Sequence, residues 1–441
     1  MAMRRDRPEQ PLFIAIGSLL LLSSITHAGT LTYGADAGVA ETDNVTLVPS
    51  DKVSQTMGIA DLDLDYTQQT ARLNADVKGD FTYIDYLQGA YHDQLLGRLD
   101  GDATLVLVPD RLTWTVQENY GQMALNPFTP VTPVNIETVN YLATGPNLNL
   151  RLGGLSFLDF SARVARAQYE TSPFTNDRVS GSGAWGMQLS ALSSISLKVD
   201  TQRVLFENTL VNTDFDRTNL FLNYELQGSR TEISTDLGLT KVSADGASTN
   251  GSLVTVTLSR TLSQAAKLML TAGHILTDAT SSFSGAQSGA SGAIATAPAA
   301  ITSANYTSNY AALGWQYQRN RTTLGLTGRW EKDTYAGEPL LNHTLKTAEF
   351  RVGRQVTRSV AAELSGRVYE TDYGHALVAP ENGSPRTTTG TVSAGVTWRH
   401  GRGLEIKLGG EHTVYSVGSG GMGYHENRGY ITVGYRPLAR Q

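Results

Sequence analysis

Apolar and polar positions alternate along almost the whole chain, in segments of roughly a dozen residues parted by turn-forming residues. The stretch 215–243 shows the unit most plainly. Leu220, Leu222, Tyr224 and Leu226 alternate with Asn219, Phe221, Asn223 and Glu225. A Gly-Ser-Arg turn follows, and then Ile233, Leu237 and Leu239 alternate with Glu232, Ser234, Asp236 and Thr240. Successive side chains of a strand point to opposite faces, so each arm has one oily and one wet face. A lone hairpin is not stable in water, and its oily face needs lipid or core.

The same pattern recurs as about 20 segments (roughly 18–22, because segment boundaries shift by a few residues). Short connections are expected at 67–70, 108–111, 152–154, 192–194, 228–230, 262–264, 319–321, 356–358 and 400–402. Longer ones interleave at 42–54, 86–94, 123–136, 171–177, 208–214, 243–250, 278–303, 335–343, 373–385 and 416–424. Short turns at one end and long loops at the other is the layout of an outer-membrane barrel. In lipid every backbone group must be paired, so the sheet has to close. The pattern therefore predicts an all-β fold: a transmembrane, antiparallel, up-and-down β-barrel with short periplasmic turns and longer extracellular loops. A soluble sandwich would lack that rhythm of connections.

Composition sharpens the picture at few points. The 441 residues hold no cysteine, which excludes disulfides, thiolate-held zinc and iron–sulfur clusters. A formal charge of −6 without a basic cluster argues against nucleic acid. The N-terminus carries Arg4, Arg5 and Arg7, then an apolar run, then Thr26-His27-Ala28 with small residues placed for cleavage. Residues 1–28 thus read as a Sec signal peptide and 29–441 as the barrel. Strand alternation begins so soon after Ala28 that neither a helical periplasmic region nor a plug is expected within the chain. Tyr66, Tyr83, Tyr120, Tyr141, Tyr169, Tyr224, Tyr317, Tyr335 and Tyr415 lie near segment ends, as an interfacial girdle or ordinary strand preference would both place them.

Charged residues of both signs fall on the wet face. Asp61, Asp63, Asp65, Arg72, Lys78, Arg163, Lys198, Glu225, Glu349, Arg351, Glu363, Arg367, Glu405 and Lys407 are the candidate lumen lining, of an open bore or of one closed by its own ion pairs. The three aspartates imitate the start of a calcium loop, but Tyr66 and Arg72 stand where that motif needs Gly and Glu. The glycine-rich string at 181–186 matches a dinucleotide fingerprint in letters only, because it sits inside an alternating strand. No histidine pair has zinc-protease spacing, and pairing His274 or His412 with one of many serines carries little information. Neither a cofactor nor a catalytic set is expected. The proline loop at 123–136, with Pro127, Pro130 and Pro133, is an exposed loop or a lid. The Ala/Gly/Ser-rich 278–303 connection is a surface loop or an inward-folded constriction.

Thr42-Asp43-Asn44-Val45 before a Pro-Ser turn, Asn126-Pro127-Phe128 in the proline loop, and Glu137-Thr138-Val139-Asn140-Tyr141 opening the next strand carry a resemblance. Together they resemble the porin-like outer-membrane barrel family associated with PEP-CTERM protein sorting and exopolysaccharide gene clusters. The resemblance implies a barrel in the outer membrane of a Gram-negative bacterium, serving exopolysaccharide export, with no catalytic residues to carry over. Many such barrels end on an aromatic residue read by the assembly machinery. Here either Tyr435 serves despite the tail 436–441, or recognition is looser.

The expected function is a passive pore or conduit for exopolysaccharide or small solutes, fed by a separate periplasmic partner and embedded in outer-membrane lipid and lipopolysaccharide. The alternative is a structural or polysaccharide-binding barrel with a plugged lumen. A barrel hydrolase is the third reading.

Overall fold

The computed structural model describes residues 29–287, 301–373, 386–401, 403–418 and 422–437. The expected export signal at 1–28, the segment 288–300 of the long connection and most of the 373–385 loop lie outside the described residues.

The alternating segments are strands. The first are β1 (Gly29–Thr42), β2 (Gln55–Gln69), β3 (Leu73–Tyr86), β4 (Gln94–Val108), β5 (Leu112–Ala124), β6 (Ile136–Leu152) and β7 (Ser156–Tyr169). Then come β8 (Asn176–Ser190), β9 (Ser193–Phe206), β10 (Phe215–Gln227), β11 (Thr231–Ala244), β12 (Ala247–Ser263) and β13 (Ala266–Asp278). A helix, α1 (Ala279–Gln287), interrupts the series before β14 (Asn305–Arg319), β15 (Thr322–Tyr335) and β16 (His343–Gln355). β17 (Val360–Asp372), β18 (Arg386–His400), β19 (Leu404–Val417) and β20 (Tyr424–Tyr435) complete it. All belong to one 20-stranded sheet. Each pairs antiparallel with its sequence neighbours, and β1 closes on β20 from Ala35↔Tyr435 to Thr42↔Arg428. The chain is an outer-membrane β-barrel, and Gly29 and Tyr435 lie on the short-turn, periplasmic side.

Most turns fall within a residue or two of where the pattern puts them. The 243–250 connection does not. β11 and β12 pair through Ala244↔Ala247, and Asp245-Gly246 alone turns the chain. Both have positive φ, 46° and 75°, the conformation of a type I′ hairpin, which Asp-Gly adopts at low cost.

Large apolar side chains crowd the outer face. Leu220 and Leu222 oppose Leu239 and Leu237, and all four are exposed, as are Leu408, Ile431 and Val433. In water such a surface would drive aggregation; in lipid it is the wall that faces the acyl chains.

Candidate functional site

The inner face is identified by α1. Its residues touch β5, β6, β7, β8, β10 and β14, which one short helix can reach only from inside the cylinder. Asp278 caps it: Ser281 donates from its backbone N–H to Oδ1 (3.1 Å) and from its hydroxyl to Oδ2 (2.7 Å). The same carboxylate receives Arg178 of β8 (2.6 Å) and Arg217 of β10 (3.0 Å). Arg178 and Asp278 are almost wholly buried, with side-chain exposures of 3% and 4%. The Thr280 and Tyr169 hydroxyls meet at 2.8 Å, the Ser282 and Tyr306 hydroxyls at 2.5 Å, and Phe283 packs on Met123, Val139 and Ala167. A nine-residue helix this poor in strong helix formers is marginal alone, so these contacts hold it. Of the two readings open for the long connection, its first part is the inward-folded one. Two guanidiniums share one carboxylate here, and Arg217 Nη1 has no hydrogen-bond partner among the described residues.

The proline loop is a lid. Asn135 gathers it from within, its side-chain amide donating to Asn126 O (2.9 Å), Thr129 Oγ1 (2.9 Å) and Pro130 O (3.0 Å), while its Oδ1 accepts from Asn126 N (2.7 Å). The gathered loop crosses to the far wall. Tyr373, just past β17, donates its hydroxyl to Pro127 O (2.9 Å), and its ring lies 4.6 Å from that of Phe128. Burial pushes the Tyr373 hydroxyl above its usual range, so it stays a donor. A file of rings then joins lid to helix. Tyr373 touches His343 (5.7 Å between centroids), His343 touches Tyr335 (6.2 Å), and Tyr335 stacks on Tyr306 (4.6 Å), which holds Ser282.

Register carries the inner face around the sheet. Asp61, Asp63 and Asp65 oppose Asp36, Gly34 and Thr32 on β1, and Thr82, Asp80 and Lys78 on β3. Arg163 shares its face of β7 with Tyr169, Lys198 its face of β9 with Val204, which opposes Arg178, and Glu225 its face of β10 with Arg217. Glu349 and Arg351 oppose Arg367 and Ser365, Glu363 opposes Gly353 and Gly395, and Glu405 and Lys407 oppose Gly434 and Thr432. Arg72 departs from the expectation: it lies in the turn before β3, at the periplasmic rim. The tyrosines also divide. Tyr66, Tyr83, Tyr120, Tyr224 and Tyr317 share the outer face, whereas Tyr141, Tyr169, Tyr335 and Tyr415 point inward by register. The string 181–186 lies in β8, paired on both sides.

The ion pairs of this face run along the wall. Arg351 meets Glu363 (3.1 Å) and Arg367 meets Glu349 (3.8 Å) on adjacent strands, Lys198 meets Glu225 (3.9 Å), and Lys407 reaches Asp36 (2.6 Å) past β20. Arg163 donates to Pro146 O (2.9 Å) and to Asn147. Sequence reasoning missed Asn135, Arg178, Arg217, Asp278 and Tyr373. The only available signal was three charged residues at strand ends, where loops meet the bore.

No protein-family model matches this chain, and no curated protein does. Solved structures do. The FrpB iron transporter from Neisseria meningitidis covers 94% of this chain and 82% of its own, at 9% identity and a TM-score of 0.43. The ferric enterobactin receptor PfeA from Pseudomonas aeruginosa, in complex with enterobactin, covers 93% and 82% at 10% identity and a TM-score of 0.48. The copper transporter OprC covers 93% and 81% at 11% identity and a TM-score of 0.43. These are receptors and transporters of named ligands. The expectation of a passive exopolysaccharide conduit is corrected accordingly, and a mouth crossed by a docked helix and a docked lid agrees with that correction.

Proposed function

We propose that this chain is a substrate-selective transport barrel of the outer membrane, whose bore is closed at the loop end by α1 and the 125–135 lid and opens for a small ligand. Asp61, Asp63, Asp65, Lys78, Arg163, Lys198, Glu225, Glu349, Arg351, Glu363, Arg367, Glu405 and Lys407 line the watered path below, with Arg72 at its exit. The observation that carries the reading is the buried Asp278, which ties α1 across the inner wall to two strands. Wall-hugging ion pairs beneath it leave the axis unbridged among the described residues. Charged walls of this kind select by sign and by size. Reconstituted in planar bilayers, the full chain should show a small conductance. Replacing 279–287 by a Gly/Ser linker should raise it about tenfold or more. Equal, large conductance from both proteins would show that α1 closes nothing.

A further inference from the structure

The lipid-facing side of the wall carries its charges differently at its two ends. At the loop end, pairs are common. Arg166 stands beside Asp177 (2.9 Å), Arg203 beside Asp216 (3.9 Å), Lys346 beside Glu370 (2.9 Å) and Arg386 beside Asp372 (3.0 Å), all outward by register. At the turn end the outward cations have no such partners. On β14, β15 and β16 one outward row reads Arg319, Thr322 and Arg354, each directly opposite the next. Both arginines are exposed, and Arg354 Nη1 donates to Thr322 Oγ1 (2.9 Å), whose own O–H donates to nothing among the described residues. The turn-side half of the outward face from β12 to β18 holds no carboxylate among the described residues, and neither arginine has an ion pair there. Arg260 of β12 is likewise outward and unpaired. Aromatic rings mark the depth: Tyr317, one outward position in from Arg319, stacks on Trp315 (6.0 Å), and Trp398 lies 5.3 Å from His400. Such rings sit at the level of the headgroups. The charge is local to this arc. On β6 to β9 the same rim shows exposed leucines, Leu152, Leu155, Leu189 and Leu192, and no outward cation among the described residues.

We infer that the row Arg319, Thr322 and Arg354 is a binding site for the phosphate of an anionic phospholipid in the periplasmic leaflet. Two strand spacings, about 10 Å, part the arginines at the backbone. Long side chains at that separation can close on one phosphodiester from both sides, with the Thr322 hydroxyl between them. The next outward row, Tyr317, Leu324, Val352 and Leu364, is an apolar track for the acyl chains. A soluble anion gains little from exposed guanidiniums in water. A headgroup held beside them by its own acyl chains is present at high local concentration, which favours the lipid. Arg321 and Arg358, exposed in the two adjoining turns, add to the positive potential around the row. The site faces lipid rather than the bore, so it holds whatever the barrel carries.

The test is native mass spectrometry of the full chain in detergent micelles, with folding checked by the heat-modifiable shift on gels. The protein is titrated with dioleoyl phosphatidylglycerol or with phosphatidylcholine of the same chains. The wild type should retain phosphatidylglycerol at about tenfold lower lipid concentration, or less, than phosphatidylcholine. R319Q/R354Q should abolish that preference, and T322V, a milder change, should cut it about twofold. R166Q/R203Q, at the loop end, should keep it. Equal retention of the two lipids by the wild type would overturn the site. So would a preference that survives R319Q/R354Q, or one that falls as far in R166Q/R203Q. Displacement of the lipid by inorganic phosphate at matching concentration would also overturn it, because the anion alone would then be what binds.

Discussion

α1 and the 125–135 lid cover the same mouth by different physics. α1 is tied by charge: Asp278 sits between Arg178 and Arg217 out of reach of water. The lid is tied by neutral donors, carbonyl oxygens and ring faces, with Asn135 inside it and Tyr373 beneath it. A buried ion pair that loses one partner strands the other, whereas a lost neutral hydrogen bond is partly replaced by water. The difference makes α1 the stiff closure and the lid the soft one, and a file of rings from Tyr306 to Tyr373 runs from one to the other.

The comparison breaks most visibly at Arg178. R178A leaves Asp278 with Arg217 alone and should loosen the docked helix by on the order of 3 kcal/mol. Limited proteolysis should then cut within 279–287, and bilayer conductance should rise. Continued protection of that segment would mean that Ser281, Tyr169 and Tyr306 suffice, and α1 would not be charge-held. N135A comes next. It removes the donors that gather the lid and should cost about 1–3 kcal/mol of local stability. Hydrogen exchange at 126–134 should quicken while amides of α1 keep their protection; equal quickening in both would make the two closures one unit. Y373F is the mildest change, deleting one hydroxyl and keeping the ring. A loss of about 0.5–1.5 kcal/mol should appear as modestly faster exchange at 128 and 129. An effect as large as that of N135A would show that the lid hangs on its far anchor rather than on its own knot.

The wall of this molecule was legible in the sequence and its closures were not. Period-two alternation is a local property, and Leu220 or Asp63 shows its face through its near neighbours. The Asp245-Gly246 turn was missed, because its polar flanks 247–250 resemble a loop until the paired strand is seen. Arg178 and Arg217 look like ordinary wet-face charges at strand ends, and Asp278 like the first residue of a loop. Their meeting depends on which strands the closed cylinder brings together, and no spacing along the chain encodes that. Tyr373 and Pro127 stand 246 positions apart. The tyrosines divide between the two faces for a related reason, since an inward tyrosine on a ring file and an outward one at the lipid boundary look alike in a string of letters.

The join between β1 and β20 has a bearing on how the molecule comes to exist. It runs from Ala35↔Tyr435 to Thr42↔Arg428, whereas β1 meets β2 along its whole length. Hairpins can zip as they emerge, but this last join must wait for the far end of the polypeptide, and contacts so distant in sequence form slowly. Until then the growing sheet has two raw margins, each a template for stray strands. A nascent chain of this kind therefore needs an escort that keeps both margins occupied until its two ends find each other.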